Sequence, residues 1–215
     1  MAFAEEREEM RARVRGAFST SYLTLLSIIQ GTAFAALSAK VDLLVTHHNF
    51  RAPEVVMTIG LFLVIVALWN QFWTGAMLYS WILQLADSLL SFTFGAFEFA
   101  MIIELENGVA VLATLGLFLL VGALALEYRY WQARKSESAA FTAQLDRGFR
   151  AVDITSCVAT GTLLLVAAAL ISRLGQSTLF QLLAAGIVVA VAVGHMAREV
   201  YQWHLVQRRL SEMTA

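Results

Sequence analysis

The chain contains little of what soluble and secreted domains depend on. Only 14% of its 215 residues are charged, and it has a single proline, Pro53, and a single cysteine, Cys157. One cysteine excludes an intramolecular disulfide, and so few charges are atypical of soluble domains. The formal net charge of −1 gives the chain no overall field that attracts nucleic acid, so we expect no nucleic-acid partner.

Motifs of known catalytic and cofactor sites are lacking as well. The chain has no His-x-x-Glu-His or Cys-x-x-Cys pattern, no Gly-x-Ser-x-Gly and no Gly-x-x-x-x-Gly-Lys. His195 and His204 lie half a turn out of phase on one helix, so they cannot bind one metal together. We therefore expect no cofactor, no metal and no catalytic residue, and an enzyme is the least favoured class.

Long apolar segments are abundant instead. Hydrophobic residues make up 59% of the chain and gather in six segments, each near the roughly 20 residues that a helix needs to cross a bilayer. We predict an all-α, polytopic integral membrane protein with six transmembrane helices in a lipid bilayer. The predicted spans are residues 18–41, 55–73, 81–103, 109–128, 151–171 and 178–197.

The positive charges indicate the orientation of these spans. Every lysine and arginine except Lys40, Arg51 and Arg173 falls on the side that holds both chain ends. Cytoplasmic loops carry such an excess of basic residues. We therefore expect a plasma or bacterial-type inner membrane protein with cytoplasmic N- and C-termini. Its parts would be a charged N-terminal segment at 1–17, a transmembrane domain at 18–199 and a tail at 200–215.

One pattern recurs three times along the chain. Near the start of the first, third and fifth spans, a small residue lies four positions after Leu23, Asp87 or Asp153, and a glycine lies four positions after the small residue. A tryptophan lies at or after the end of the span that comes next. The copies are Leu23-Ser27-Gly31 with Trp73, Asp87-Ser91-Gly95 with Trp131, and Asp153-Cys157-Gly161 with Trp203. This spacing favours three tandem hairpins, about 18–73, 81–131 and 151–203, with a pseudo-threefold internal repeat. Chance recurrence of a general helix-packing pattern is the alternative.

Polar residues follow corresponding faces of the first, third and fifth helices. Hydrocarbon offers them no hydrogen-bond partner, so these faces should contact protein or water. We expect the three helices to surround a central axis, with the almost purely apolar second and fourth helices outside. The residues predicted to line this path are Ser27, Gln30, Asp87, Ser91, Glu98, Asp153 and Thr160.

Glu98 carries the clearest functional signal. It lies among aromatic residues inside the third span, and a charge near the bilayer centre costs about 3 kcal/mol. Glu98 would be a cation ligand or a proton carrier, or else a hydrogen-bonded structural acid. Asp87 fits two roles equally well, a position in the ion path and that of an acid at the start of the helix. For Asp153 an ion pair with Arg150, one turn earlier, is favoured, and Gln30 is typical of hydrogen bonding between helices.

The acidic residues near the ends of the fourth and sixth helices have a simpler interpretation. Glu127 and Glu199 each lie four residues before a tryptophan and close to an arginine, Arg129 or Arg198. Aromatic and basic residues anchor helices at the membrane surface. We therefore predict that both acids belong to interfacial anchors.

Two functions from different classes fit these residues. The favoured one is a channel or small transporter that moves an inorganic cation or a proton along the path of the first, third and fifth helices. The alternative is a non-catalytic assembly or interaction protein, in which the polar faces are packing faces and another protein binds loop 132–149 and tail 200–215. Small residues such as Gly116 and Gly122 would allow a homo-oligomer.

Overall fold

A computed structural model describes residues 2–78, 84–136, 149–175 and 177–213, and the elements within these ranges are helices. Each helix contains a stretch long and apolar enough to cross a membrane. The prediction of an all-α, six-helix integral membrane protein is therefore confirmed. The helices are α1 (Ala2–Thr46), α2 (Ala52–Leu78), α3 (Leu85–Ile103), α4 (Gly108–Ser136), α5 (Ala151–Leu174) and α6 (Thr178–Met213).

Local sequence signals explain where several helices begin and end. Pro53 lies in the first turn of α2, where its missing N–H group is not needed. At the start of α3 the Gln84 backbone N–H donates to Asp87 Oδ2 over 2.7 Å, half of a capping box. After α5, Gly175 adopts a φ of 97°, a backbone conformation that glycine reaches without strain.

Two helices are much longer than a bilayer requires. α1 has 45 residues, which at 1.5 Å per residue makes it roughly 68 Å long against a hydrocarbon core of about 30 Å. Its apolar stretch is Thr20–Thr46, so residues 2–17 of the predicted charged segment belong to the same helix. The tail likewise continues α6 as far as Met213. Most of the predicted loop 132–149, residues 137–148, lies outside the described residues.

Five helices form a closed ring, and neighbours in this ring are not always neighbours in the chain. The order around the ring is α1, α2, α6, α4 and α3, and α3 contacts α1 again. We call the end of the ring at which α1 enters and α6 leaves the terminal end. The opposite end, with the α1–α2 and α3–α4 connections, is the loop end.

α5 lies outside the ring, along α4. The two helices meet at glycines, because a Cβ atom on Gly161 would lie 2.8 Å from the carbonyl oxygen of Gly116. The missing side chains let the two backbones approach closely. We predicted that Gly116 and Gly122 would lie on a lipid-facing surface, where they could pair protomers. Gly116 instead packs against α5 within the chain, and Gly122 lines an internal cavity.

The expected arrangement of α1, α3 and α5 around one axis is not formed. In the described part of the chain α5 makes no extended contact with α1 or α3, and α2 and α4, predicted to lie outside, are the most buried spans. The physical reason is that an apolar helix is equally compatible with lipid and with a protein interior. Apolarity alone therefore does not indicate which helix is central.

The glycines of the repeated pattern have different neighbours. A Cβ atom on Gly95 would lie 2.7 Å from Ile29 of α1, Gly161 contacts α4, and Gly31 has open space around it. Of the described residues, those of α5 and α6 share no extended contact, although the two form the third predicted hairpin. The pseudo-threefold repeat stays a prediction from the sequence pattern.

Candidate functional site

A deeply buried pair of polar side chains lies between α1 and α3. Gln30 Nε2 donates a hydrogen bond to Glu98 Oε2 over 3.2 Å. The exposed fraction is 3% for Gln30 and 1% for Glu98. Neither Gln30 nor Glu98 caps a helix, and neither belongs to the repeated pattern of small residues and glycines. The burial of both side chains therefore needs another explanation.

Glu98 has no positively charged neighbour among the residues that the structure describes. Its hydrogen bond with Gln30 is its one polar interaction there, and the other oxygens of both side chains, Glu98 Oε1 and Gln30 Oε1, lack a donor. A carboxylate buried without compensation is very costly. A proton on Glu98 supplies the missing donor, and a bound cation would supply the missing charge. Either one would compensate the buried carboxyl group.

Further polar residues follow the same face of α3 towards the terminal end. Ser91 and Asp87 are both buried, and the Tyr22 hydroxyl of α1 lies within hydrogen-bonding reach of Ser91. Asp87 lies about 16 Å along the helix from Glu98, at 1.5 Å per residue. Four predicted path residues, Gln30, Asp87, Ser91 and Glu98, are therefore brought together on the α1–α3 interface.

A cavity of about 100 Å³ lies inside the ring beside this interface. Its wall is mostly apolar and extends from the terminal end to Val64 and Val191, near the middle of α2 and α6. Phe94 belongs to this wall, whereas Glu98, one turn further along α3, does not. The cavity therefore ends one helical turn short of Glu98. The polar residues of its wall are Tyr22, Gln71, Asp87, Tyr128, Arg129, His195 and Glu199.

Aromatic rings connect four helices around the cavity. The ring centroids of Tyr22 and Phe72 are 6.0 Å apart, those of Phe72 and Phe94 5.6 Å, and those of Phe94 and Phe118 5.1 Å. All three pairs are edge-to-face, the arrangement that aromatic quadrupoles favour. Along α3, Phe94 of this row separates the cavity from Glu98.

Asp153 belongs to a different polar cluster. Its two oxygens accept hydrogen bonds from the Tyr130 hydroxyl over 3.0 Å and from Gln202 Nε2 over 2.6 Å, and Arg198 Nε lies 3.8 Å away. Because these partners belong to α4 and α6, Asp153 holds α5 to both helices. It does not join Glu98 in one path.

The predicted ion pair of Asp153 with Arg150 is not formed. Arg150 binds Glu127 instead, with 2.9 Å between Arg150 Nε and Glu127 Oε2. Arg150 lies only three residues before Asp153 in the sequence, which is why this pair was predicted. The α4–α5 contact brings Glu127 alongside Arg150 instead. Sequence spacing carries no information on a partner from another helix.

Two other predicted path residues lie apart from the Glu98 pair. Ser27 is exposed on the outer surface of α1, and Thr160 is half-buried on α5. A hydroxyl in a helix can donate to the carbonyl oxygen four residues earlier, as Thr32 does to Ile28 over 2.6 Å. Serine and threonine therefore do not need a protein partner, and their position on a helix indicates the buried face only weakly.

Glu199, which we predicted to belong to an interfacial anchor, lines the cavity. Asn70 Nδ2 of α2 donates to Glu199 Oε2 over 2.9 Å, and His195, one turn before Glu199 on α6, also belongs to the cavity wall. The i,i+4 spacing of His195 and Glu199 was a usable signal. So was Asn70 with Gln71 in an otherwise apolar segment.

Arg129, assigned to the membrane surface with Glu127, also belongs to the cavity wall. Its Nη1 lies 3.2 Å from the position that a Cβ atom on Gly75 of α2 would take, so the side chain reaches across from α4 to α2. Within the described ranges no group of three His, Cys, Asp or Glu side chains could hold a metal ion. Comparison with protein-family models, curated proteins and solved structures yields no match to this chain.

Proposed function

We propose that the protein moves a proton or a small cation across a plasma or inner membrane, with Glu98 as the group that carries or binds it. The observation that supports this is the burial of Glu98 with a single neutral partner, Gln30, and one oxygen without a donor. An apolar pair of similar size is expected to be about as stable at this place, so stability alone does not require the polar pair. A polar pair kept inside a membrane domain is typical of ion and proton pathways.

The proposed route follows α1 and α3 and not three helices. It would begin at the cavity, pass Asp87 and Ser91, and reach Gln30 and Glu98. We propose that the terminal end faces the cytoplasm, because the basic residues concentrate on that side of the sequence.

The loop side of Glu98 is closed. Met101, Ile102 and Leu105, which follow it along α3 and its end, are buried apolar residues of the hydrophobic core. On the terminal side Phe94 separates Glu98 from the cavity, so Glu98 is closed off from both sides. A central site that no open path reaches is expected of a transporter between the states in which that site opens to one side or the other. This favours a small transporter over a permanently open channel.

The decisive experiment measures flux through purified protein in liposomes with and without a proton or cation gradient. We expect the wild-type protein to carry flux and Glu98→Gln, which keeps size and hydrogen bonding but removes the acid, to reduce it at least tenfold. Glu106→Gln is the matched control, since Glu106 is an exposed acid paired with Lys40 at the loop end. Equal flux from wild type and Glu98→Gln would contradict the proposal.

A second candidate is the assembly or interaction protein. Residues 2–19 of α1 precede its apolar stretch, over roughly 27 Å at 1.5 Å per residue, and α6 continues past Leu205 to Met213. Such extensions offer a partner protein a surface outside the bilayer. A co-purifying protein that is lost when residues 206–215 are removed, together with the absence of flux, would favour this candidate.

A further inference from the structure

The hydrogen bond between Gln30 and Glu98 leaves one oxygen of each side chain without a donor. These two atoms are Gln30 Oε1 and Glu98 Oε1, and both are buried. The amide and the carboxyl group are already joined through Gln30 Nε2 and Glu98 Oε2 over 3.2 Å. A buried acceptor that has lost its water and found no donor is unfavourable. The pair therefore has two acceptors that need a donor.

One proton corrects both deficits at once. On Glu98 Oε1 it forms a hydroxyl group, which can donate to Gln30 Oε1 while Gln30 Nε2 donates to Glu98 Oε2. A carboxylic acid and a primary amide can form two such parallel hydrogen bonds, because each group carries a donor and an acceptor side by side. The neutral acid also removes a buried charge for which the described residues offer no positively charged partner.

An inorganic cation finds few ligands at the same place. Glu98 and Gln30 supply three side-chain oxygens, one of which already accepts a hydrogen bond. Hard metal ions such as Ca²⁺ take about six or more oxygens, and monovalent cations inside membranes are held by carbonyl oxygens of unwound backbone. α1 and α3 are unbroken helices on both sides of the pair. Phe94 and Met101, about one turn before and after Glu98, are buried and apolar.

No other titratable group lies close to the pair along the helices that surround it. α1, α2 and α4 pack against α3, and residues 55–76 of α2 and 108–126 of α4 contain no charged residue, histidine, cysteine or tyrosine. On α1 and α3 the nearest titratable groups lie about 9–17 Å along the helix from Gln30 or Glu98, at 1.5 Å per residue. They are Tyr22 and Lys40 on α1 and Asp87 and Glu104 on α3 and its end.

The short gap between the cavity and Glu98 also suits a proton. The cavity ends at Phe94, one helical turn of about 5.4 Å before Glu98. One water molecule with two hydrogen bonds of about 2.8 Å each spans such a gap. A metal ion would have to carry its ligands past the Phe94 side chain, which is only 3% exposed.

We infer that Glu98 holds a proton on Oε1, that this hydroxyl group donates to Gln30 Oε1, and that the pair selects protons against metal ions. When the proton leaves for a water molecule, the O–H electron pair stays on the carboxylate and the hydrogen bond from Gln30 Nε2 remains. That this proton is the transported species rests on the function proposed above. Its presence on Glu98 does not depend on that function.

Infrared spectroscopy of the unaltered full-length chain in lipid nanodiscs tests the inference. At neutral pH we expect the wild-type protein to show a C=O stretching band of a protonated carboxyl group that is lost in Glu98→Gln. The band should be the same in sodium, potassium and choline buffers. Loss of carboxylate bands alone in Glu98→Gln overturns the inference, and so does a band that sodium or potassium removes.

Variants test the pairing with Gln30. Gln30→Leu removes both hydrogen bonds of the carboxyl group, so the band should move to higher frequency. Gln71→Leu is the matched control, because Gln71 is a second glutamine within an apolar stretch and belongs to the cavity wall, and it should leave the band in place. Glu98→Asp keeps the acid if Glu98→Gln does not fold, and it should shift the band. An unchanged band in Gln30→Leu or in Glu98→Asp overturns the inference.

The outcomes separate this inference from the proposed function. The Glu98 band without any flux that depends on Glu98 supports the protonated pair and overturns the transport proposal. Sodium or potassium flux that is lost in Glu98→Gln, without this band in the wild-type protein, overturns the inference and leaves transport of an inorganic cation standing. If both hold, proton flux falls at least tenfold in Glu98→Gln and changes less than about twofold when choline replaces sodium.

Discussion

Glu98 and Gln30 are polar residues in surroundings that are otherwise mostly apolar. Leu26, Ala33 and Met101, their neighbours along α1 and α3, are buried. Removing one member of a buried hydrogen-bonded pair leaves the other unsatisfied, at a cost of about 1–3 kcal/mol. Replacing both members by apolar groups of similar size is often nearly neutral. Comparing the stability of the single and double variants therefore distinguishes a pair kept for stability from a pair kept for function.

We therefore expect Glu98→Leu and Gln30→Leu each to lower the free energy of unfolding by about 1–3 kcal/mol. The double variant should lie within about 1 kcal/mol of wild type, because no unsatisfied polar group remains. Thermal unfolding of the purified protein measures this, and flux should be lost in the double variant. Additive losses in the double variant would show that the pair has a structural role only.

The identity of the central acid could be predicted from the sequence, but part of its surroundings could not. A carboxyl group inside an apolar span is costly, so Glu98 stands out in the sequence. Gln30 stands out for the same reason. The position of Glu199 in the cavity wall was missed because its proximity to Trp203 and Arg198 in the chain resembles a surface anchor. Its partner Asn70 is 129 residues away, and separations of that kind leave no local pattern.

At the scale of helices, the two faces of α5 are held by different means. Backbone contact at Gly116 and Gly161 fixes it to α4, and the Asp153 cluster fixes its first turns to α4 and α6. Its remaining surface exposes large apolar residues such as Leu163 and Leu170, as expected of a helix facing lipid.

The glycines of the repeated pattern should respond oppositely to alanine. We expect Gly161→Ala to lower the free energy of unfolding by about 1–3 kcal/mol, because its Cβ atom would overlap the Gly116 carbonyl oxygen. Gly31→Ala should raise it by about 0.5–1 kcal/mol, because the site is open and alanine favours helix. Thermal unfolding compares the two. The same change in both would indicate that the repeat places its glycines in equivalent surroundings.

Two acids near the terminal end, Asp153 and Glu127, should differ in how much their removal lowers the free energy of unfolding. Asp153→Ala removes the acceptor of Tyr130 and Gln202 and leaves Arg198 largely buried, so we expect a loss of about 2–4 kcal/mol. Glu127→Ala removes an ion pair whose Glu127 side chain is 46% exposed, and should cost no more than about 1 kcal/mol. Chemical unfolding of both variants in the same detergent checks the order, and a larger loss for Glu127→Ala would contradict it.

The spans were predictable and their packing was not. Each predicted span overlaps one helix, because about 20 apolar residues are a strong signal of a membrane helix. The position of α5 outside the ring depends on the Gly116–Gly161 contact, and small residues occur in α1 and α6 as well. Since lipid and protein interior are both apolar, the pattern of α2 and α4 gave no indication that they are central.

For the whole molecule, the orientation that we propose from the distribution of charge is open to direct test. In a Cys157→Ser background, His47→Cys adds a thiol at the loop end and Ser211→Cys adds one near the end of α6. We expect a membrane-impermeant maleimide to label the former and not the latter in intact cells, because the basic side should be cytoplasmic. Labelling of Ser211→Cys alone would reverse the proposed direction of the route.

The order of helices in the ring has a consequence for how the protein is made. α6 lies between α2 and α4, and a Cβ atom on Gly60 of α2 would lie 2.9 Å from Val188 of α6. α6, which follows the other five helices in the chain, is therefore the one that closes the ring between α2 and α4 and separates the cavity from lipid. We therefore expect a chain whose α6 is not yet in place to have a lateral gap that acyl chains can fill, and the packing of α6 would then have to displace them.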